Sequence, residues 1–406
     1  MTYDVDEIRT RFPALARTEG GRTVAYLDGP AGTQVPRAVI EAMAGHLRTG
    51  TSNHGGAFAA SREVDALEGS ARAAAADLLG ASDDEVVFGP NMTTLTFAVS
   101  RALGAGWGPG DEVVVTRLDH DANVTPWVLA ARDAGASVRV ADFDVEDGRL
   151  DVDHLVSLLG PRTRLVAVTH ASNALGTIPP VQEIVDLAHS FGALTYVDAV
   201  HYAPHGSIDV AALDTDFLAC SPYKFYGPHS GVLYGKAEHL ETVTPYKVVP
   251  APDTGPGRWE TGTASFEALA GIEAAVDHLA SLGEGDDRRA ALVDAYRAIG
   301  RHERSLAVRF LAGVAELPHV RVHGITDAPE ERTPTFGVEV EGLAARRVAE
   351  SLAERAIYVW DGHYYAVGVM DHLGVSDGGG LTRIGFVHYS TPDEVDRVLQ
   401  ALADLR

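Results

Sequence analysis

A chain of 406 residues with 46% hydrophobic content can bury a large core and exceeds the size at which single cores usually split, so two domains are expected. Its 57 acidic residues against 33 basic ones give a formal charge of -24, which argues against nucleic acid or a membrane surface as a partner, and no basic run offsets it. A single cysteine excludes internal disulfides and multi-cysteine zinc sites, and with an acidic Met1 to Glu7 and no apolar run of membrane-spanning length the expected address is the cytoplasm.

In chain order, apolar runs predict strands at 86–88, 113–115, 138–140, 165–168, 194–197, 217–219 and 232–234. Helical spacing between them predicts helices over 62–79, 95–103, 123–134 and 181–190. Repeated strand-helix units imply an α/β fold, a mainly parallel sheet of seven strands with helices on both faces. Ligands then sit outside the carboxyl ends of the strands. Past Ala264 the alternation stops. A long helical region over 266–317 is followed by short strands near 320–322, 335–340, 357–359 and 383–386, with helices at 344–354 and 392–405. The expected division is a large α/β domain over 21–265 and a smaller α+β domain built from 1–20 and 266–406.

The strand ends carry chemistry. Thr93 and Thr94 follow the first strand and precede a helix expected to start near Leu95, where free N-H groups bind phosphate. Then come Asp119-His120-Asp121-Ala122-Asn123, Thr169-His170-Ala171-Ser172-Asn173 and Asp198-Ala199-Val200-His201, with Ser221-Pro222-Tyr223-Lys224 last. Lys224 lies in a polar turn with Gly227 and Pro228 between two buried strands. That setting makes it a candidate Schiff-base lysine, with an ordinary solvated loop lysine as the alternative that the stretch alone favours.

Taken with Tyr26-Leu27-Asp28, Ser172-Asn173-Ala174-Leu175-Gly176-Thr177 and Arg258-Trp259-Glu260-Thr261-Gly262-Thr263, this ordered set resembles the class V aminotransferase family, in its cysteine desulfurase-like branch. The resemblance runs over nearly the whole chain. It implies pyridoxal 5'-phosphate as cofactor, the fold type I architecture, an amino-acid substrate, and a homodimer with shared active sites. Lys224 would hold the cofactor aldehyde and later move the Cα proton, and Asp198 would keep the ring nitrogen protonated, making the ring an electron sink. His120 would stack on the ring and serve as acid or base. Thr93, Thr94, Ser221 and Tyr223 would bind the phosphate, and Thr263 that of the neighbouring subunit. Asn173 would contact the ring oxygen or the substrate. His201 stands where the desulfurases usually have a glutamine supporting that oxygen. Arg383 would grip the substrate carboxylate with its guanidinium fork.

One departure bears on the reaction. Where the desulfurases carry a mobile cysteine, the loop here reads Asp361-Gly362-His363-Tyr364-Tyr365-Ala366, and the single cysteine, Cys220, lies inside an apolar run. His363, Tyr364 and Tyr365 are thus candidate substrate-facing groups on a loop expected over 361–380. The expected reaction is a thiol-free β-elimination or carbon-sulfur cleavage. Transamination and epimerisation are the alternatives, and an inactive cofactor-binding homologue is the reading from another class.

Overall fold

Each apolar run predicted as a strand forms one, and burial explains why. Val113, Val114 and Val115, like Leu165 to Val168, are fully enclosed, as strands covered on both faces must be. The computed structural model describes residues 3–405; Met1, Thr2 and Arg406, at the outer ends of the segments assigned to the smaller domain, lie outside the described residues. In chain order the strands are β1 (Val86–Gly89), β2 (Glu112–Thr116), β3 (Ser137–Ala141), β4 (Thr163–Thr169), β5 (Leu194–Asp198), β6 (Phe217–Cys220) and β7 (Gly231–Gly235). They form one seven-stranded sheet in the order β1-β7-β6-β5-β4-β2-β3. Only β7 runs against its neighbours. The order reverses between β4 and β2, which opens a crevice at the carboxyl ends of the strands.

Helices α1 (Ala59–Leu79), α2 (Met92–Gly104), α3 (Thr125–Ala134) and α4 (Val181–Ser190) match the predicted ones to within a turn. The helical region expected over 266–317 is two helices, α5 (Phe266–Ala280) and α6 (Arg288–Ala315). The break between them has a steric cause: a Cβ at Gly283 would come 2.3 Å from the Ala291 carbonyl, and one at Gly285 2.4 Å from the Ala291 nitrogen. Asp287 then caps α6, its carboxylate accepting the Ala290 N-H at 2.7 Å.

A second, four-stranded antiparallel sheet contains β8 (Val320–His323), β9 (Thr335–Val340), β10 (Trp360–Gly362) and β11 (Leu381–Gly385), in the order β8-β9-β11-β10. The strand expected at 357–359 is not part of it. Ile357–Tyr358 pairs in parallel with Ala25–Tyr26 instead. The loop expected over 361–380 begins in β10 and contains a helix, α7 (Val367–Leu373). Phe310, Phe336 and Phe386 centre the core beneath this sheet, together with Ala25 and Leu27. Phe266, Leu269 and Ile272 of α5 belong to the core of the larger sheet. No described helix is long and apolar enough to cross a membrane.

The two sheets meet at Gly176, just beyond β4. Its φ is 80°, and a Cβ there would lie 2.5 Å from the Thr335 carbonyl and 2.9 Å from that of Thr333. Gly176→Ala is therefore expected to destabilise the protein by about 2–3 kcal/mol, read as a lowered Tm of the cofactor-free chain.

Candidate active site

The crevice holds a cavity of about 640 Å³ into which the carboxyl ends of β1, β2, β4, β5 and β6 deliver side chains. Thr93, His120, Asn173, Asp198, His201 and Ser221 line it, as do Tyr223 and Lys224. Arg383 of β11 and Tyr364 and Tyr365, in the turn after β10, complete it.

Lys224 is 7% exposed, and its ammonium donates to the Pro30 carbonyl and lies 4.9 Å from the centroid of the Tyr223 ring. Burial, then the nearby Arg383 charge, lowers its pKa from the ordinary 10.5 to about 7. A neutral, nucleophilic amine is therefore available near neutral pH. Asp198, at the end of β5, accepts the Val200 N-H at 2.9 Å, and burial raises its pKa to about 6. A protonated ring nitrogen would draw it back toward the carboxylate form.

Burial, then Lys224 and Arg383, brings His120 down to about 4. Its Nδ1 accepts the Ala122 N-H at 3.0 Å, which places the proton of the neutral ring on Nε2. His201 is likewise held neutral by burial, with Nε2 3.2 Å from the Thr333 hydroxyl. His205 turns to a different cavity and pairs with Glu303.

Arg383 lies 4.4 Å over the Tyr364 ring and donates to the Asn173 carbonyl at 2.9 Å. Asn173 in turn donates its side-chain amide to the Tyr364 carbonyl at 3.0 Å, and the Tyr364 hydroxyl donates to Leu381. Two polar atoms of this group, Asn173 Oδ1 and Arg383 Nε, are buried without a partner among the described residues. Tyr364 and Tyr365 adopt φ values of 48° and 59°, a left-handed pair that bulky side chains rarely make. The turn sets Tyr364 under Arg383 and stacks Tyr365 on His120, ring centroids 5.5 Å apart.

Three predicted residues do not reach the cavity. Helix α2 begins at Met92, earlier than expected, because Asn91 caps it and accepts the Thr94 N-H at 2.8 Å. Both threonines are exposed, but only Thr93 lines the cavity, while Thr94 bonds Asn91 with its hydroxyl. His363 is exposed, its Nδ1 accepting the Tyr365 N-H at 3.0 Å. Thr263 is exposed on a segment outside this cavity. Sequence reasoning missed Asn91 and Trp360, which line the cavity, and gave Asp28 no role. An Asn before an apolar helical run is a capping signal that marks Asn91. Asp28 has a buried, unpartnered Oδ1, and burial lifts its pKa to about 6 beside Arg383 and Lys224.

These residues fit pyridoxal phosphate. A buried amine with a pKa lowered to about 7, a carboxyl group for the ring nitrogen, a helix N-terminus for the phosphate, and two polar atoms with no partner among the described residues converge on one cavity. The comparisons agree. The aminotransferase class-V family profile matches residues 25–398. A cysteine desulfurase of Dickeya dadantii (strain 3937) is 34% identical over 416 residues, covering 98% of this chain and 96% of its own. The apo cysteine desulfurase of Thermococcus onnurineus NA1 superposes with a TM-score of 0.88 at 28% identity, covering 98% of this chain and 97% of its own. The cysteine desulfurase CsdA from Escherichia coli gives 0.86 at 30%, covering 99% and 98%. The chain belongs to the class-V aminotransferase family and is a cysteine desulfurase-like, pyridoxal phosphate-dependent enzyme, a lyase or transferase.

Proposed function

We propose that this enzyme breaks the carbon-sulfur bond of cysteine-type amino acids by β-elimination, with no sulfur carried on the protein. The observation behind this reading is the thiol inventory. The single cysteine, Cys220, is 0% exposed at the end of β6, is absent from the cavity lining, and has its pKa pushed well up by burial. A buried neutral thiol cannot attack a substrate sulfur.

Pyridoxal phosphate bound at Lys224 supplies the electron sink for the substrate Cα. Arg383 holds the substrate carboxylate, kept in place by the Tyr364 ring and the Asn173 carbonyl. Lys224 removes the Cα proton as its free amine, and Asp198 holds positive charge at the ring nitrogen. His120 and Tyr365 close one side of the site. Thr93 and Ser221, with the α2 N-terminus, hold the phosphate, Tyr223 flanks it, and His201 supports the ring oxygen. Overall, an S-substituted cysteine and one water give a thiol, pyruvate and ammonium; the sulfur leaves with the bonding electrons and gains a proton.

We further propose a cytoplasmic homodimer in which Thr263 completes the neighbouring subunit's site. Its exposure outside its own cavity supports this, as do the apolar Val249, 95% exposed, and Phe58, 58% exposed. In the proposed two-domain division over 21–265 and over 1–20 with 266–406, α5 braces the larger part, while Ala25 and Leu27 insert into the smaller core.

Sulfide release from cysteine, followed colorimetrically, tests the thiol-free reading. Cys220→Ala is expected to keep wild-type release within about 2-fold, since the substitution removes only a small buried group. Release that vanishes in this variant while the fold persists overturns the proposal.

A further inference from the structure

Behind the catalytic cavity lies a second one of about 150 Å³, bounded by Tyr202, His205, Gly300, Glu303 and Thr333. Arg304 and Glu330, both exposed, sit at its outer end. The inner end is polar and buried: His205 is 8% exposed, and Glu303 and Thr333 are each 2% exposed. His205 Nδ1 is 2.8 Å from Glu303 Oε2, while Glu303 Oε1 has no partner among the described residues. Burial raises the Glu303 carboxyl above the usual range, against the lowering effect of His205, and their 2.8 Å contact needs a shared proton.

The two cavities share a wall. His201 lines the catalytic one, and its Nε2 is 3.2 Å from the hydroxyl of Thr333, which lines the other. The His201 and His205 rings are 5.2 Å apart. A void of this size with several polar partners has room for water.

We propose that the His205, Glu303 and Thr333 cavity is a proton entrance, which supplies the catalytic cavity from solvent through His201 while substrate fills the main mouth. Each step moves one proton and no electrons. A proton taken up by the Glu303-His205 pair passes through water to the Thr333 oxygen, whose own proton moves to His201 Nε2, and His201 releases the proton from its other nitrogen. In this assignment Thr333, His205 and Glu303 act through His201 and touch neither cofactor nor substrate.

The fold offers a clean way to close the entrance. Gly300 lines the second cavity from within α6, and a Cβ there meets nothing within 4 Å. Gly300→Leu therefore places a side chain in the void without a clash at Cβ and improves helix propensity.

Two measurements test the proposal. The first needs no cofactor: deuterium exchange at the imidazole C2 position, followed by mass spectrometry on the cofactor-free protein. Gly300→Leu is expected to slow exchange at His205 on the order of 10-fold, as solvent is shut out of the void. Exchange at His205 that is indifferent to Gly300→Leu overturns the entrance. The second rests on the proposed role of Lys224 and uses alanine, which has no leaving group, in D2O with the loaded enzyme.

Entry of deuterium at the alanine Cα, read by NMR, is expected to slow on the order of 10-fold in Gly300→Leu and Thr333→Val, and to recover in Thr333→Ser. Cofactor affinity should stay unchanged in all three. Variants that exchange like wild type overturn proton delivery through Thr333. A wild type that exchanges nothing sinks the Lys224 reading, and the His205 measurement then decides on the entrance alone.

Discussion

Lys224→Ala is expected to lose turnover by about 10⁴-fold or more, the upper end of what a positioned proton-transferring group contributes. The same variant loses the covalent hold on the cofactor. After borohydride reduction, wild-type protein should carry the cofactor mass on the peptide containing Lys224, and the variant should carry none. Burial sets the reactivity of this amine. Lys224 is 7% exposed, held by the Pro30 carbonyl, and brought to about 7 by desolvation with Arg383 nearby. Capture of the cofactor should accordingly speed up as pH rises through about 7 and then level off, because the neutral amine is the nucleophile and is the minor form only below that value. An ordinary lysine would still be gaining rate toward pH 10. A variant that keeps turnover, or a reduced adduct on a different lysine, contradicts the assignment.

Asp198→Asn is expected to lower kcat by about 10²- to 10³-fold, comparable to removing one preorganised electrostatic group from an active site. Asparagine keeps the shape and the acceptor for the Val200 N-H, so the loss isolates the charge. The burial that raises Asp198 to about 6 makes it sensitive to what faces it. A cation at the ring nitrogen favours its charged form, and without that carboxylate the ring nitrogen gives up its proton more readily. The absorption band of the lysine-held cofactor should therefore shift along with kcat, while Tm changes little. Loss of kcat with an unaltered band would place the role of Asp198 in packing instead.

Much of the site was legible because strand ends are legible. Lys224, Asp198, Asn173 and His120 each follow a short apolar run, and the parallel sheet brings such positions together. What the sequence hid was phase and conformation. Thr93 and Thr94 are equivalent in the sequence, but a helix started by Asn91 sets the first on the cavity and the second outside it. In the Asp361 to Ala366 stretch, His363 was the more familiar acid-base group. The left-handed backbone at Tyr364 and Tyr365 buries the first ring, lays the second, 65% exposed, against His120, and leaves His363 outside, a conformation that two bulky residues do not advertise.

Partners far apart in the chain were out of reach too. Nothing local ties Lys224 to Pro30, or Asn173 to Tyr364 and Arg383. The break between α5 and α6 depends on how closely Gly283 and Gly285 approach the next helix, a contact made only in the folded chain.

The central claim is that an amino acid bound at Lys224 loses its β-sulfur without help from a protein thiol. Mass spectrometry of the products formed from cysteine and from S-substituted cysteines tests it most directly. Pyruvate and ammonia, with the substituent released as its thiol, are the predicted products, from wild type and Cys220→Ala alike. Alanine formed from cysteine, with the sulfur left on the protein, would contradict the account, as would a keto acid that retains the sulfur or an inverted amino acid.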